Sequence, residues 1–342
     1  MMTIKVAVAG YGVIGQRLAD GVALQKDMEL IGVADVAPTL AVRALKEKGM
    51  PYKLFSATAD GKAKLEAAGI PVSGGFEDLV GQVDIVLDSS PGGIGAANKE
   101  IYKKLGKKAV FQGGEKNSVA DVFFHGYANY EKGLGADFLK LTSCNTTGLI
   151  RTVDHLDRAV GIEKVAITII RRVADPGDYH RGLTNALQVD KAPSHQAEDL
   201  MTVMPHVEAT GILVHTPVTH GHIITVLATP KKDISIDETI ALFKKHPRVR
   251  VVSLAEGFLG NASLFRYARD LGNPRGDMYE VALWTDTVVK SGRDIMYAIN
   301  IPQESVTIPE TIDAIRAALK TQPDRESATA ATNSYLGLGK WL

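Results

Sequence analysis

Cys144 is the only cysteine in this chain of 342 residues, and it has the clearest capacity for covalent chemistry. One thiol cannot form an intrachain disulfide or a multi-cysteine metal site, so it is either a small buried side chain or a nucleophile. Residues 138–141 predict a short strand and residues 149–156 carry the apolar stripe of a helix, with helix-capping residue types between them. The thiol is therefore expected at or just before a helix N-terminus. Backbone N–H groups and the helix dipole stabilise a thiolate and an oxyanion there, so we interpret Cys144 as a nucleophile.

A thiol that attacks an aldehyde needs a nearby base, and histidine has a suitable ordinary pKa. His220-Gly221-His222 lies between two predicted strands, and an extended backbone would turn both imidazoles to the same side. We take His220 as the first candidate for the base and His222 as the second. The alternative is a metal site or a structural pair. No third ligand at metal-site spacing accompanies the two rings, so we predict no bound metal.

Two other polar pairs are candidates for binding. Arg171-Arg172 ends a predicted strand and favours a site that holds phosphate or stacks on a cofactor, against the alternative of two surface charges. His195-Gln196 follows Pro193-Ser194, which predicts the start of a helix.

The N-terminus carries a dinucleotide-binding pattern. Residues 4–9 predict a strand that runs into a glycine turn and a helix, and residues 28–34 predict a second strand that ends in Asp35, 20 positions beyond the last glycine. The glycines permit the tight turn, the approach of a pyrophosphate and close helix–strand packing; in that order they are Gly10, Gly12 and Gly15. Asp35 would accept hydrogen bonds from the adenosine ribose and repel a 2′-phosphate, so NAD is preferred over NADP, with NADP possible. The alternative is a glycine-rich turn of another α/β protein.

The order of elements predicts two domains. Residues 1–142 alternate strands and helices, which indicates an α/β Rossmann domain, and residues 143–302 indicate an α+β catalytic domain with a mainly antiparallel sheet. The Ser291-Gly292 turn predicts a hairpin near its end. A C-terminal helical segment, 303–342, is expected to pack back on the first domain.

Composition narrows the class of protein. Lysine plus arginine equals aspartate plus glutamate at 39 each, which gives no electrostatic argument for binding nucleic acid or an anionic membrane. No apolar run is long enough to span a bilayer, and the N-terminus lacks the layout of a signal peptide. We expect a cytoplasmic protein.

Seven motifs resemble those of the archaeal-type (type II) phosphorylating glyceraldehyde-3-phosphate dehydrogenases, and they run through nearly the whole chain in the family's order. They are Gly-Tyr-Gly-x-Ile-Gly at 10–15, Pro-Gly-Gly-Ile-Gly at 91–95, Phe-Gln-Gly-Gly-Glu-Lys at 111–116, Ser-Cys-Asn-Thr-Thr-Gly at 143–148, Arg-Arg-x-Ala-Asp-Pro at 171–176, Pro-Ser-His at 193–195 and Gln-Glu-Ser-x-x-x-Pro-Glu at 303–310.

The resemblance implies an enzyme that oxidises D-glyceraldehyde 3-phosphate to 1,3-bisphosphoglycerate through a thioester on Cys144, with hydride transfer to NAD(P) and inorganic phosphate as co-substrate. It also implies a homotetramer. Residues implied to contact the triose phosphate are Ser143, Asn145, His195 and Gln196. Residues at nucleotide-binding positions are Val13, Ile14, Gly114, Arg172 and Gln303.

The sequence departs from the family pattern at two places. The family usually has His-His where this chain has His195-Gln196, and its second strand often ends in residues that accept NADP, whereas this chain has Asp35. Two alternatives remain at this point: a related cysteine-dependent dehydrogenase of another phosphorylated aldehyde or of a semialdehyde, and a non-catalytic nucleotide-sensing protein on the same fold.

Overall fold

The computed structural model describes residues 3–172 and 186–339, which fall into two compact units. Within those residues, unit 1 comprises residues 3–142 and 308–336, and unit 2 comprises residues 143–172, 186–307 and 337–339. None of the described helices is long and apolar enough to cross a membrane.

Unit 1 is built on a parallel sheet in the part of the chain that is described. Its strands are β1 Ile4–Ala9, β2 Met28–Asp35, β3 Leu54–Ser56, β4 Ile85–Asp88, β5 Lys108–Phe111, β6 Val122–Phe124 and β7 Phe138–Leu141. Its helices are α1 Val13–Ala23, α2 Leu40–Glu47, α3 Ala59–Ala67, α4 Phe76–Gly81, α5 Ile94–Lys104, α10 Ile308–Ala318 and α11 Arg325–Leu336.

The strand order, β3-β2-β1-β4-β5-β7-β6, reverses direction at β1, which pairs in parallel with both β2 and β4. Sheets of this type bind ligands outside the carboxyl ends of the strands at such a reversal. The glycine turn follows β1 directly, so it lies at that point. The predicted α/β Rossmann architecture is confirmed.

Aromatic side chains fill much of the unit 1 core. Phe76, Tyr102, Phe111 and Phe138 form a chain of rings whose successive centroids are 6.2 Å apart. All four side chains are buried. Such ring pairs add about 1 kcal/mol each to the stability that comes from their burial.

The returning helix α10 is held in unit 1 by a buried arginine. Arg316 donates from Nη2 to both carboxylate oxygens of Asp27, at 2.8 and 3.0 Å, and to Gln25, and it donates from Nη1 to Thr332 on α11. Because a buried guanidinium is costly without an anionic partner, this pairing fixes where the C-terminal segment docks.

Unit 2 carries the second sheet. Its described strands are β8 Ile162–Arg172, β9 Gln188–Val189, β10 Glu208–Thr216, β11 His222–Pro230, β12 Val249–Val252, β13 Val281–Trp284, β14 Val289–Ser291 and β15 Asp294–Ile301. Its helices are α6 Cys144–Val160, α7 His195–Val203, α8 Ile236–Phe243 and α9 Asn261–Asp270.

The strand order in this sheet is β12-β13-β15-β11-β8-β10-β9, with β14 also on β15. The β10–β8 and β12–β13 pairs are parallel and the other recorded pairs are antiparallel. The predicted α+β unit with a mainly antiparallel sheet is therefore confirmed. The predicted hairpin at Ser291-Gly292 joins β14 to β15, and Gly292 has a φ of 59° that suits such a turn.

Two sequence-level boundaries differ in the structure. The returning segment begins at Ile308 rather than at residue 303, because Gln303 and Glu304 hydrogen-bond to Arg172 in unit 2. The segment also ends at Leu336. Residues 173–176 of the arginine motif lie outside the described residues.

Gly15 supports a prediction about stability. A Cβ at this position would overlap the backbone carbonyl of Gly10, whereas a Cβ at Gly12 would meet no atom within 4 Å. We expect Gly15→Ala to lower the free energy of unfolding by about 2 kcal/mol, since backbone in a tight turn cannot yield easily. Gly12→Ala is the matched control and should cost less. Urea unfolding followed by circular dichroism measures both, and equal losses would contradict the close-packing interpretation.

Candidate active site

The glycine turn of unit 1 has the features that a pyrophosphate requires. Gly10 has a φ of 82°, in the left-handed region that favours glycine, and Gly12 is the N-cap of α1 with open space beside its Cα. The first N–H groups of a helix lack intrahelical partners and attract anions. Val13 and Ile14 are the first two residues of α1. The residues present therefore fit the phosphates of a dinucleotide.

Ser89 supports this turn from the neighbouring strand. Its hydroxyl lies 3.0 Å from the Ala9 carbonyl oxygen and 2.8 Å from that of Gly10, as a donor shared between them. The sequence analysis did not single out this serine. A hydroxyl directly after a strand of a parallel sheet is the signal that could have found it.

Asp35 lies at the carboxyl end of β2 and is bound to the turn. Its Oδ2 accepts a hydrogen bond from the Tyr11 N–H at 3.0 Å, and its Oδ1 accepts from the N–H groups of Val36 and Ala37. Each carboxylate oxygen can accept more than one hydrogen bond, so these contacts orient Asp35 without exhausting it as an acceptor for a ribose hydroxyl. The carboxylate therefore stabilises the turn and can still accept a hydrogen bond from a ligand.

Gly114 meets a second glycine at the same edge of the sheet. A Cβ on Gly92 would lie 2.6 Å from the Gly114 carbonyl oxygen, so the loops after β4 and β5 touch through their backbones. Asp88, at the end of β4, accepts hydrogen bonds from the Tyr102 hydroxyl at 2.7 Å and from the Ser90 N–H at 2.9 Å. These contacts hold the loop that contains Gly92.

In unit 2, Cys144 is the first residue of α6, as expected from the capping residues around it. Ser143 is the N-cap, and its hydroxyl accepts a hydrogen bond from the Thr146 N–H at 3.3 Å. Cys144 is partly exposed, so the sulfur is accessible rather than sealed in the core. Its position at the positive end of a 17-residue helix favours the thiolate over the thiol.

A glycine one turn further along sets the distance between this helix and the sheet. A Cβ on Gly148 would overlap the Ile301 side chain and lie 2.8 Å from Val281. With glycine at this position, α6 lies close against β13 and β15 and carries Cys144 to the end of the sheet where β11 begins.

His222, the first residue of β11, is the histidine that contacts the thiol. Its Nε2 lies 3.7 Å from the Cys144 sulfur, within the range of hydrogen bonds to sulfur. Its Nδ1 accepts a hydrogen bond from the Arg172 backbone N–H at 3.1 Å. A neutral imidazole carries one proton, so acceptance at Nδ1 puts that proton on Nε2, which faces the sulfur.

The surroundings keep this ring neutral. Burial first, then the positive charges of Arg172 and Arg171, hold the pKa of His222 well below its ordinary value, while a hydrogen bond with Gln303 acts in the opposite direction. At neutral pH the ring is therefore uncharged, and its Nε2–H can donate a hydrogen bond to a thiolate.

His220, the first candidate at the sequence level, lies elsewhere. It is exposed, pairs with the Thr219 hydroxyl at 3.1 Å and packs edge-on against Phe265. The expectation that both imidazoles lie on the same side assumed an extended backbone from residue 220 to residue 222, and it is wrong. Gly221 has a φ of 72°, in the left-handed region, so the backbone turns between the two histidines.

The predicted nucleotide-binding positions are divided between the two units. Those in unit 1 belong to the glycine turn and to the loops after β2 and β5, whereas Arg172 and Gln303 lie in unit 2. There the Arg172 Nε donates to Gln303 Oε1, and its Nη1 donates to Glu304 at 3.0 Å and to the Thr219 carbonyl oxygen at 2.7 Å. The sequence named Arg172 and Gln303 but did not indicate that they contact each other or that Glu304 joins them, since the residues are about 130 positions apart.

The predicted substrate residues lie at the starts of two helices. Asn145 is the second residue of α6, and His195 and Gln196 begin α7, where the Gln196 Nε2 lies 2.8 Å from the His195 Nε2. The side-chain oxygens of Asn145, Ser194 and Gln196 are buried and have no hydrogen-bond partner among the described residues. Such atoms are rare in folded proteins and favour a site where a ligand completes the bonding.

Asp199 joins these two helix starts, and the sequence gave no signal for it. The Thr146 hydroxyl donates to the Asp199 carboxylate at 3.2 Å, which links the first turn of α6 to α7. Within the residues that the structure covers, no cluster of three or more histidine, cysteine or acidic side chains could hold a metal ion.

Comparison with known proteins agrees with this arrangement. Residues 143–286 match the family model described as glyceraldehyde 3-phosphate dehydrogenase, C-terminal domain. The chain is 40% identical over 340 residues to a glyceraldehyde-3-phosphate dehydrogenase of Methanosarcina mazei, covering 99% of this chain and all of that one. It is 38% identical over 343 residues to that of Sulfolobus acidocaldarius, with 99% of each chain covered.

The chain belongs to the archaeal-type glyceraldehyde-3-phosphate dehydrogenase family. Membership makes it an oxidoreductase of the NAD(P)-dependent kind, as the glycine turn predicted. Among solved structures, aspartate semialdehyde dehydrogenase II from Vibrio cholerae matches with a TM-score of 0.65 at 14% identity, covering 93% of this chain and 98% of that one. At that identity the likeness concerns the fold alone.

Proposed function

We propose that this member of the family is a phosphorylating glyceraldehyde-3-phosphate dehydrogenase. The observation that carries the proposal is the pair in unit 2: a thiol at the N-terminus of α6, 3.7 Å from the protonated nitrogen of a buried neutral histidine. This pair suits the addition of sulfur to an aldehyde, because it stabilises negative charge first on sulfur and then on oxygen.

The first half of the reaction needs a nucleophile and an oxyanion site. The Cys144 thiolate attacks the aldehyde carbon, a C–S bond forms and the carbonyl oxygen becomes an alkoxide. His222 Nε2–H and the backbone N–H groups at the start of α6 donate to that oxygen. A thiolate yields the alkoxide directly, so the histidine acts here as a donor instead of the base expected from its residue type. A bound nicotinamide would supply the hydride acceptor for this carbon, and the acyl group would then be held on Cys144 as a thioester.

The second half releases the acyl group. Inorganic phosphate attacks the thioester carbon, the C–S bond breaks and the electron pair returns to sulfur, which gives 1,3-bisphosphoglycerate and regenerates the thiolate, with the phosphate proton passing to solvent. The donors that stabilised the first oxyanion stabilise the second one also. A covalent thioester keeps the energy of oxidation available for making the acyl phosphate.

The triose phosphate is assigned to the residues at the two helix starts, which are Ser143, Asn145, His195 and Gln196. Asn145 and Gln196 are supported by buried side-chain oxygens that lack partners, and all four residues lie at helix N-termini, which favour an anion. The cytoplasmic location, and the absence of nucleic-acid and membrane partners, remain predictions from the sequence.

Activity is the direct test of this assignment. With D-glyceraldehyde 3-phosphate, NAD and inorganic phosphate, we expect NAD to be reduced, which is measured by the absorbance of the reduced cofactor. This activity should be lost when phosphate is left out. Cys144→Ser should reduce turnover by a factor of at least about a thousand while leaving the circular dichroism spectrum unchanged. Equal or better turnover of erythrose 4-phosphate or aspartate semialdehyde would displace the substrate. An unreactive wild-type protein that still binds NAD would favour the nucleotide-sensing alternative.

For the cofactor, we propose NAD in preference to NADP, on the basis of the Asp35 carboxylate at the end of β2. Asp35→Asn keeps one acceptor oxygen for its backbone donors but removes the charge. The ratio of kcat/KM for NAD over NADP should then fall about tenfold, which corresponds to about 1.4 kcal/mol of lost discrimination. Asp60→Asn, an exposed acid on α3, is the control. An unchanged ratio in Asp35→Asn would show that this carboxylate does not select the cofactor.

For assembly, we propose a homotetramer in which a second copy covers one face of the unit 2 sheet. Ile170, Ile212, Leu227 and Met296 are each between 36% and 45% exposed, and the strand register puts all four on the same face. Neighbouring apolar side chains exposed on a sheet indicate an interface.

Sedimentation equilibrium should give about four times the chain mass of 36.7 kDa. Leu227→Glu should lower that mass, because a charge in an apolar interface opposes association. Leu271→Glu, at an exposed leucine beyond the end of α9, should not. A wild-type protein that sediments as a single chain would exclude the assembly.

A further inference from the structure

The thiol–imidazole pair depends on Arg172, and the sheet alone does not fix that residue. The pairing of β8 with β11 ends at Ile170 and Ile223, so the Arg172 N–H lies beyond the backbone hydrogen bonds between these strands. It donates to the His222 ring instead of to a backbone carbonyl of β11. On its other side, Arg172 is paired in register with Thr216 of β10.

Among the described residues, the acceptors that hold the side chain of Arg172 include Thr219, Gln303 and Glu304. Nη1 donates to the Thr219 carbonyl oxygen and to Glu304 Oε1, and Nε donates to Gln303 Oε1. The guanidinium side chain is only 3% exposed, and Glu304 supplies it with a carboxylate at 3.0 Å. A buried cation whose anionic partner is removed moves or draws in water, because the remaining charge is costly.

We propose that Glu304 is a positioning residue for the nucleophile: by holding the Arg172 side chain it keeps the Arg172 N–H on His222 Nδ1, and so keeps the His222 proton on the nitrogen that faces Cys144. This inference rests on the proposed function only in taking Cys144 as the nucleophile. Without Glu304 the Arg172 N–H can leave the His222 ring, and the ring proton can then occupy either nitrogen. When the proton lies on Nδ1, the thiolate loses its hydrogen-bond donor.

Charged and titratable groups approach the His222 ring from several elements. Arg171 and Arg172 come from β8, His215 from β10 and Cys144 from α6. The positive groups disfavour a charged ring whichever nitrogen holds the proton. The pH dependence to be measured is therefore that of the sulfur.

The test is the rate of Cys144 alkylation by iodoacetamide across a range of pH. The chain has one cysteine, so the rate reports this sulfur alone. In Glu304→Ala we expect the midpoint of the profile to move to higher pH by about one unit, since a lost donor destabilises the thiolate. His222→Ala should move it at least as far. Glu304→Gln, which keeps an oxygen for Nη1 but removes the charge, should move the midpoint less than Glu304→Ala does.

A double variant separates positioning from general damage. If Glu304 acts through His222, adding Glu304→Ala to His222→Ala produces no additional shift. Glu163→Ala removes the carboxylate of an exposed ion pair with Arg293 and is the surface control. His220→Ala should leave the profile as in the wild type, because that ring contacts Thr219 and Phe265.

The ¹⁵N NMR spectrum of the histidine side chains gives a readout that a purely structural role would not move. The His222 ring is identified by the signals that disappear in His222→Ala. In the wild type this ring should be protonated at Nε2 only, and in Glu304→Ala it should show both tautomers. If Glu304→Ala fails to fold, Arg172→Lys replaces it, because lysine keeps the backbone N–H and the charge but cannot hold the three acceptors in the same way.

An unshifted alkylation profile in a folded Glu304→Ala or Arg172→Lys protein overturns the proposal, as does a full additional shift in the double variant. Failure of the proposed function is seen separately, as the absence of phosphate-dependent NAD reduction in the wild type. The alkylation and NMR measurements use no substrate, so their outcome stands whichever aldehyde the enzyme oxidises.

Discussion

The hydrogen bond from the Arg172 amide to His222 Nδ1 is the contact on which the proposed chemistry of unit 2 depends. A buried ring that is held neutral has a single proton, and the partner of one nitrogen determines that the proton lies on the other. Here that places an N–H donor 3.7 Å from the Cys144 sulfur. In the proposed mechanism, this imidazole stabilises negative charge first on the sulfur and then on the oxygen of the adduct.

Helix geometry also determines where the sulfur lies. Cys144 is the first residue of α6, and the absence of a Cβ at Gly148 lets that helix approach the Ile301 and Val281 side chains closely. A nucleophile on a rigid helix end keeps its distance to a partner on a strand. The Thr146–Asp199 contact extends the same rigidity to α7, where the proposed substrate residues begin.

The two units have different types of sheet, and each type suits a different part of the proposed reaction. The parallel sheet of unit 1 brings strand ends and helix N-termini to one edge, which suits the phosphates of a dinucleotide. The mainly antiparallel sheet of unit 2 sets residues from distant parts of the chain side by side, which suits a site where several polar groups act on one carbon atom. Arg172, Gln303 and Glu304 meet there although about 130 residues separate the first from the others.

The sequence by itself determined the features that depend on local order. The glycine turn, the α/β alternation, the hairpin at Ser291-Gly292 and the position of Cys144 at a helix start all follow from neighbouring residues, because caps, turns and strand periods are set over a few positions. It also identified the family through motifs spread along the chain.

The tertiary structure decided which histidine serves the thiol, which nitrogen carries the proton and where the C-terminal segment changes unit. His220 and His222 are equivalent in the sequence, and only the left-handed backbone at Gly221 and the pairing of β11 with its neighbours turn one toward the sulfur and leave the other exposed. The Arg172–Glu304 pair likewise has no local signature. Contacts between residues far apart in the chain depend on sheet register and packing, which no short stretch of sequence contains.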